Sequence, residues 1–313
     1  MPDLEELHGL PAFDFPSEEE RATLPEPDSV AWRFCANPYH DEDEDYGPLF
    51  QRFLDTVDVS RVRAVITSVW GEYGDDSRSV IDPLIAAKDR FTSLEALFIG
   101  DIEPDEQEIS WIEQSDVSRL LSAFPDLVEL GVRGGNGLEF APVTHERLRR
   151  LRFETGGLPG AVVRGVGGST LPALEHLEMW LGIDEYGGDA TAADIAPLLT
   201  GGRFPALRHL GLQNSEIQDE IAAAVAAAPV VAQLTSLDLS MGILTDTGGQ
   251  ALLEGQPLTH LSRLDLDHNF FSPAMAQRLR DALEPSGVRV ELDERGDEDE
   301  EGDQVFRYTA VAE

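Results

Sequence analysis

The sequence contains little cysteine and little positive charge, and each shortage argues against a class of protein. Its 313 residues include one cysteine, Cys35, so an internal disulfide is impossible and a reducing compartment is indicated. Basic residues number 23 against 60 acidic ones, which gives a formal net charge of −37. Phosphate backbones and anionic membranes repel such a chain, so we expect no binding to nucleic acid or membrane. A basic partner would be attracted, although the charge also fits a role in solubility alone.

Long apolar runs and a basic N-terminus are also missing. The longest apolar stretch, residues 221–232, is interrupted by Pro229 and is too short to span a bilayer. The first ten residues are acidic and lack the apolar run of a signal peptide. Because 42% of the residues are hydrophobic, the chain can still build a sizeable core. We therefore expect a globular, cytoplasmic protein.

The chain does contain a recurring pattern of leucines, L-x-x-L-x-L, with weaker copies at 62–67 and 290–292. The full copies begin at Leu94, Leu127, Leu148, Leu174, Leu207, Leu234 and Leu261. Alternation within each copy predicts a short strand with its leucines on one face. A single strand cannot bury that face alone, but stacked copies form a parallel sheet over a shared core. The residues between the leucines then point to the opposite face.

A helical segment follows several of these strands. Ser272 and Pro273 are suited to the N-cap and first position of a helix, and Met275, Leu279 and Leu283 share one of its faces. One strand and one helix per copy resembles the ribonuclease-inhibitor-like leucine-rich repeats, whose period is about 20 to 29 residues. The resemblance implies an α/β solenoid, a horseshoe with parallel strands on its concave face and helices on its convex face.

Several longer phrases resemble an uncharacterised bacterial leucine-rich-repeat family over nearly the whole chain. They are GDIEPDEQEISWIEQSDV, RGGNG, LGIDEYGGDAT and LGLQNSEIQDEI. This resemblance strengthens the fold and implies no activity. Asn269 matches the usual asparagine of the repeat, which bonds to backbone in the turn, whereas other copies lack it and must satisfy their turns in another way.

The ends of the chain differ from the repeats and predict caps. Residues 1–60 are expected to form an N-terminal segment and a βα cap, with a strand at 30–35 and a helix at 49–57. The solenoid then spans 61–292, and 293–313 form an acidic loop and a C-terminal strand. We expect residues 1–29 to lie along the surface and 294–303 to be mobile. Residues 288–292 and 304–311 would each form a strand, and a hairpin there would cover the last open sheet edge.

No stretch of the sequence encodes a recognisable reaction. The glycine clusters at 133–137 and 164–170 do not complete a phosphate-binding motif, and no nucleophile elbow is present. Cys35 lies in an apolar strand, where it is expected to be a core residue. The acidic stretches that begin at Asp41 and Asp297 fail as calcium loops because Arg52 and Tyr308 occupy the position of the bidentate acid. We therefore predict no enzyme, no cofactor and no metal site.

The concave positions of the repeats provide the candidate functional residues. They are Phe98, Arg133, Arg150, Arg152, His176, Glu178, Trp180, His209, Gln213, Asp238, Asp265 and Asp267. Tryptophan and arginine are favoured at interface hot spots, so an exposed Trp180 would anchor a partner, with the insertion at 185–191 at the rim. Alternatively, these residues only provide the polar surface that a solvated sheet needs.

The sequence therefore predicts a protein-binding scaffold. The alternative is a regulatory or accessory subunit whose arginines act on the substrate of a partner enzyme.

Overall fold

The computed structural model describes residues 3–18, 23–38, 44–296, 298–301 and 304–312. The strands are β1 (Glu6–Leu7), β2 (Leu10–Asp14), β3 (Ala31–Phe34), β4 (Ala64–Thr67), β5 (Ala96–Ile99), β6 (Glu129–Arg133), β7 (Arg150–Glu154), β8 (His176–Gly182), β9 (His209–Ser215), β10 (Ser236–Asp238), β11 (Arg263–Asp265), β12 (Arg289–Glu291), β13 (Glu298–Glu301) and β14 (Gln304–Arg307). The α-helices are α1 (Tyr46–Thr56), α2 (Arg78–Ala86), α3 (Ser118–Ala123), α4 (Gly160–Gly168), α5 (Ala192–Ile195), α6 (Gln218–Ala226), α7 (Asp246–Glu254) and α8 (Pro273–Leu283).

Twelve strands form one sheet in the order of the chain, which confirms the predicted leucine-rich-repeat solenoid. Strand β1 is antiparallel to β2, and β2 to β12 are all parallel. The second leucine of each repeat pairs with the second leucine of the next, as Leu210 does with Leu237 and Leu237 with Leu264. These leucines form one buried core with the helices, on the convex side of the sheet. In the described part of the chain, no helix combines the length and the apolar character that crossing a bilayer requires.

Helix α8 begins as the sequence predicts. The Ser272 side chain caps the helix by accepting a hydrogen bond from the backbone of Met275 at 3.2 Å, and Pro273 is the first helical residue. Met275, Leu279 and Leu283 are buried against the core. This helix therefore gains its stability from an apolar face and a satisfied N-terminus together.

The turns after the strands are held by buried amide side chains. The Asn269 amide donates to the carbonyls of Leu239 and Leu266, each at 3.0 Å, and its oxygen accepts from the backbone of Leu244 at 3.1 Å. This confirms the predicted role of Asn269. In the coil of β9, which lacks that asparagine, the Gln218 amide donates to the carbonyl of Leu212 at 2.7 Å. The longer glutamine side chain, at the start of the following helix, thus binds the carbonyl that an asparagine binds in the coil of β11.

The sequence predicts that residues 1–29 lie along the surface, but part of this segment joins the sheet. Strand β2 pairs with β3, and the β1–β2 hairpin covers the concave face of β3, β4 and β5. The buried cluster beneath it consists of Leu7, Ala31, Ala64, Ile66, Ala96 and Phe98. Because β4 and β5 are apolar on both faces, the sheet needs this cover where an ordinary concave face would meet water. Helix α1 connects β3 to β4, and these two strands pair in parallel.

The C-terminal prediction is wrong in two respects. Residues 298–301 form strand β13 instead of a mobile loop, and β13 pairs with β14 in a separate two-stranded sheet. Strand β14 therefore does not cover the sheet edge beside β12. Parts of both acidic stretches considered as calcium loops lie outside the described residues, namely 41–43, 297 and 302–303.

Residues 310–312 form a strap that crosses several coils. The backbone N–H of Ala310 donates to the Met241 carbonyl at 2.8 Å, and Val311 exchanges two hydrogen bonds with the Asn214 side chain. The Ser110 hydroxyl donates to the Ala312 carbonyl, across 202 residues of sequence. The strap therefore joins the coil of β10 to a coil in the first half of the solenoid.

We predict that Leu237→Ala lowers the free energy of unfolding by about 2–5 kcal/mol, as large-to-small core substitutions do. Leu237 is fully buried and lies between Leu210 and Leu264 in the leucine column. Urea denaturation of both proteins measures the loss. The matched control is Leu253→Ala, because Leu253 only packs against the core from a half-buried position on α7. An equal loss in the two variants would mean that a leucine of the buried column contributes no more to stability than a half-buried leucine.

Candidate functional site

The register of the sheet arranges the concave side chains in two rows. The first row, which we call the basic row, runs along β7 to β12 through Arg150, His176, His209, Ser236, Arg263 and Arg289. The second, which we call the acidic row, runs beside it through Glu178, Asp238, Asp265 and Glu291, with Gly211 of β9 between the first two. Neighbouring strands are about 4.8 Å apart, so each row is a continuous strip of surface.

The structure places the predicted site residues at very different depths. Arg150 is exposed; Arg152, His176, Glu178, His209 and Asp267 are half-buried; Phe98, Arg133, Trp180, Gln213, Asp238 and Asp265 are buried. The rows also include Ser236, Arg263, Arg289 and Glu291, which are not among the predicted site residues. The alternation of Arg289 and Glu291 with Val290 and Leu292 was the signal that could have placed these two residues on the concave face.

Phe98 does not lie exposed on the concave surface, so that prediction is wrong. Its side chain is fully buried under the N-terminal hairpin. A Cβ atom on the neighbouring Gly131 would come within 2.3 Å of the ring, which shows how closely the ring lies against β6. The guanidinium groups of Arg133 and Arg152 lie over the same ring, 5.5 and 5.1 Å from its centre.

Arg133 is also wrongly predicted as a contact residue, because it belongs to a buried series of ion pairs. It is 3% exposed, and it contacts Asp101 at 3.3 Å and Glu154 at 2.9 Å. Asp101 in turn lies 3.4 Å from Arg33, and both of its oxygens accept from the Leu4 backbone at 3.1 Å. Burial raises the pKa of Asp101 to about 6, although the two arginines oppose the shift. These charges hold the N-terminal hairpin on the sheet.

Trp180 is not the exposed indole that the sequence predicts. It is 8% exposed, and its Nε1 donates to Glu178 Oε1 at 3.2 Å. The ring is absent from the leucine core, and the bond to Glu178 fits the predicted concave direction. The Trp180 carbonyl accepts from the Thr155 hydroxyl at 2.8 Å. Removing this ring would therefore disturb packing as well as the surface.

The centre of the open surface contains two stacked histidines. The rings of His176 and His209 are 4.0 Å apart and only 10° from parallel. His209 Nδ1 contacts the Ser236 hydroxyl at 2.8 Å, and His176 Nε2 contacts Glu178 Oε2 at 3.2 Å. Burial and the neighbouring His176 lower the pKa of His209 to about 4. Burial alone would raise the pKa of Glu178, but His176 and Arg152 hold it below its usual value.

The acidic row continues with carboxylates that share one arginine. Burial raises the pKa of Asp238 to about 6, with Glu178 contributing, and burial and Asp238 raise the pKa of Asp265 to about 7. Arg263 donates to Asp265 at 2.6 Å and also contacts Glu291. Like charges on neighbouring strands thus favour proton uptake by Asp238 and Asp265, and Arg263 opposes it only partly.

The other end of the open surface meets the N-terminal hairpin in a cleft. Its lining includes three arginines and three glutamates, namely Arg149, Arg150, Arg152, Glu6, Glu129 and Glu175. Arg152 contacts Glu154 at 3.2 Å. The insertion at 185–191 lies against the turn that follows β7, since its Tyr186 and Gly188 backbone would be 2.0 and 2.8 Å from a Cβ on Gly157. The sequence predicts this insertion at the rim of the concave surface.

The chain is similar to a Bacteroides fragilis protein of known crystal structure. The two structures superpose with a TM-score of 0.75 and 32% sequence identity, over 84% of this chain and 72% of that one. An internalin from Listeria monocytogenes gives a TM-score of 0.40 and 14% identity, over 84% of this chain and 61% of that one. No protein-family profile and no curated protein matches the chain. The likeness to the Bacteroides protein therefore extends to sequence as well as structure.

We predict that Asp238→Asn gains stability relative to the wild type as the pH rises from about 4 to about 7. In the folded protein Asp238 keeps a proton above its usual pKa of 3.8, up to about 6, whereas the unfolded chain releases it. Rising pH therefore favours unfolding of the wild type through this group, and asparagine removes that effect, on the order of 1–3 kcal/mol. Urea denaturation at about pH 4 and about pH 8 gives the two differences.

The control for this measurement is Asp281→Asn, which replaces an exposed carboxylate on α8. Its stability relative to the wild type should change far less with pH. If the Asp238→Asn difference is equally constant, the carboxylate of Asp238 is ionised throughout this range and the raised pKa is wrong.

Proposed function

We propose that this chain, which belongs to the same leucine-rich-repeat family as the Bacteroides fragilis protein, is a non-catalytic binding module for another protein in the cytoplasm. One observation carries the proposal. The chain covers the concave face of β3 to β5 with its own hairpin, whereas Arg150, Arg263 and Arg289 of the basic row are exposed along β7 to β12. A solenoid offers a partner this kind of extended concave surface.

The open surface is also held in place before any partner arrives. His209 contacts Ser236, His176 contacts Glu178, and Arg263 contacts two carboxylates. Side chains that are already ordered lose less conformational entropy when a partner binds, so more of the contact energy appears as affinity. Preorganisation therefore supports a binding role over a surface that is merely solvated.

The charges of the surface suggest what the partner carries. At long range the net charge of −37 attracts a positively charged protein and speeds its association at low salt. At short range the basic row ends in exposed arginines, Arg150, Arg263 and Arg289, with the acidic row beside it. A docking segment with acidic and basic residues side by side would complement both rows.

The alternative, an accessory subunit of a partner enzyme, is favoured by one feature. Arg149 and Arg152 in the cleft beside the hairpin already contact Glu175 and Glu154, but the exposed Arg150 suits an anionic group of a partner or of its substrate. The two roles differ in their consequence, because an accessory subunit changes the kcat or KM of the enzyme that it binds. A scaffold leaves both unchanged.

We predict that Arg150→Glu lowers the affinity for the partner at least tenfold, about 1.4 kcal/mol, because it reverses an exposed charge at the head of the basic row. The full chain is immobilised to capture its partner from a lysate of the source cells. The captured protein is then produced separately, and calorimetry gives its affinity for each variant.

The matched control is Arg278→Glu, an identical substitution at an exposed position of α8 on the opposite side of the solenoid. It should leave the affinity within about twofold, and both variants should keep the wild-type stability within about 0.5 kcal/mol. An equal loss of affinity in the two variants, or no loss in either, would remove the concave surface as the binding site.

A further inference from the structure

Two coils of the solenoid bring together three side chains with the donor atoms of a metal site. Among the described residues, one nitrogen each of His176 and His209 and one oxygen of Glu178 lie within 4.8 Å of one another. The residues come from β8 and β9, where His176 pairs with His209 in the parallel register. All three are half-buried, so the group is accessible from the concave side.

We propose that His176, Glu178 and His209 bind a divalent transition-metal ion of the zinc type. Two imidazoles and one carboxylate form a common set of protein ligands in zinc sites that keep a fourth position open. That position would face the open concave surface, where a water molecule or a side chain of a partner can occupy it. The inference does not depend on the proposed binding function.

Neighbouring groups already orient two of the three ligands. The Ser236 hydroxyl contacts Nδ1 of His209 at 2.8 Å, which leaves Nε2 as the atom available to an ion. Trp180 Nε1 donates to one oxygen of Glu178 at 3.2 Å and leaves the other oxygen directed towards His176. Outer hydrogen bonds of this kind fix the tautomer and direction of metal ligands in proteins.

Binding requires one local movement. The two imidazole rings are stacked 4.0 Å apart and nearly parallel, so their lone pairs do not converge on a single point. Rotation of His176 about its side-chain bonds brings its nitrogen towards Glu178 and His209, and its half-exposed position leaves room for that rotation. Zinc–nitrogen bonds of about 2.0–2.1 Å place tetrahedral donors about 3.4 Å apart, so donors that are now up to 4.8 Å apart must approach by up to about 1.4 Å.

The surrounding charges favour nitrogen-preferring ions over hard cations. Arg152 and Arg263 lie near Glu178 and His209 and oppose any cation, whereas Asp238 lies near Glu178 and attracts one. Because these effects offset one another, affinity would depend on bonds to imidazole rather than on charge. Mg²⁺ and Ca²⁺ prefer oxygen ligands and gain little from two histidines.

A second group of three carboxylates does not offer a comparable site. Asp265, Asp267 and Glu291 also lie within 4.8 Å of one another. Arg263, however, donates to Asp265 and Glu291, and the backbone N–H groups of residues 293 and 294 donate to Asp267 Oδ1 at 2.6 and 3.1 Å. These carboxylates already bind internal donors, which an ion would have to displace.

The test is a calorimetric titration of the metal-free full chain with Zn²⁺ in an excess of Mg²⁺, which occupies the many surface carboxylates. We expect one site, with an affinity at least about tenfold higher than in His176→Ala, Glu178→Gln or His209→Ala, since even outer-shell changes cost about 10–100-fold. Titration with Co²⁺ should give the visible bands of a nitrogen-ligated ion of low coordination number. A spectrum of hydrated octahedral Co²⁺ would overturn the proposal.

The matched control is His8→Gln. His8 also lies between two carboxylates, but Glu95 and Glu129 contact opposite ring nitrogens, at 3.5 and 3.2 Å, and cannot chelate one ion with it. If this variant loses as much Zn²⁺ affinity as His209→Ala, binding is diffuse and the site does not exist.

Ser236→Ala provides a second test, which leaves all three ligands in place. It should lower Zn²⁺ affinity about 10–100-fold while the metal-free melting temperature stays near that of the wild type.

Discussion

Parallel strands that pair in register hold each coil of the solenoid against the next, and this constraint determines both faces of the sheet. On the convex side it places Leu210, Leu237 and Leu264 in one buried column. On the concave side the same register places equivalent positions of each repeat in rows, so that Glu178, Asp238 and their neighbours form one strip. The stacked histidines and the paired aspartates are consequences of that spacing rather than separate designs.

Much of the fold could be predicted because a leucine period is a local pattern that every coil repeats. The concave rows followed from alternation alone, which correctly placed Arg152, His176, Glu178 and His209 on one surface. Burial could not be predicted in the same way, because the cover over Phe98 comes from residues about 90 positions earlier in the chain. The apolar character of β4 and β5 on both faces was the available signal, since a strand with one solvated face alternates.

The buried charges show how the hairpin and the sheet depend on each other. Asp101 is fully buried between Arg33 and Arg133, and Leu4 donates to it from the hairpin. A buried charge without a partner is strongly destabilising, so the loss of one member of this series would leave its neighbour unpaired and destabilise the fold. The hairpin therefore supplies hydrogen bonds to the ion pairs, and the ion pairs fix the position at which the hairpin ends the open surface. Sequence spacing alone gives no indication of this series, since Asp101 and Arg133 lie in different coils.

The strap at residues 310–312 changes the way in which a solenoid of this kind can come apart. In a plain repeat stack each coil contacts only its neighbours, so the end coils can fray without disturbing the middle. Here a hydrogen bond joins Ser110 to Ala312, which are 202 residues apart. Asn214, from the coil of β9, donates a further hydrogen bond to the Val311 carbonyl of the strap. Opening the C-terminal coils must therefore also break bonds near the centre, which links distant coils into one unfolding unit. Because contacts across so large a loop are slow to form before the coils exist, we expect the strap to join the coils late in folding.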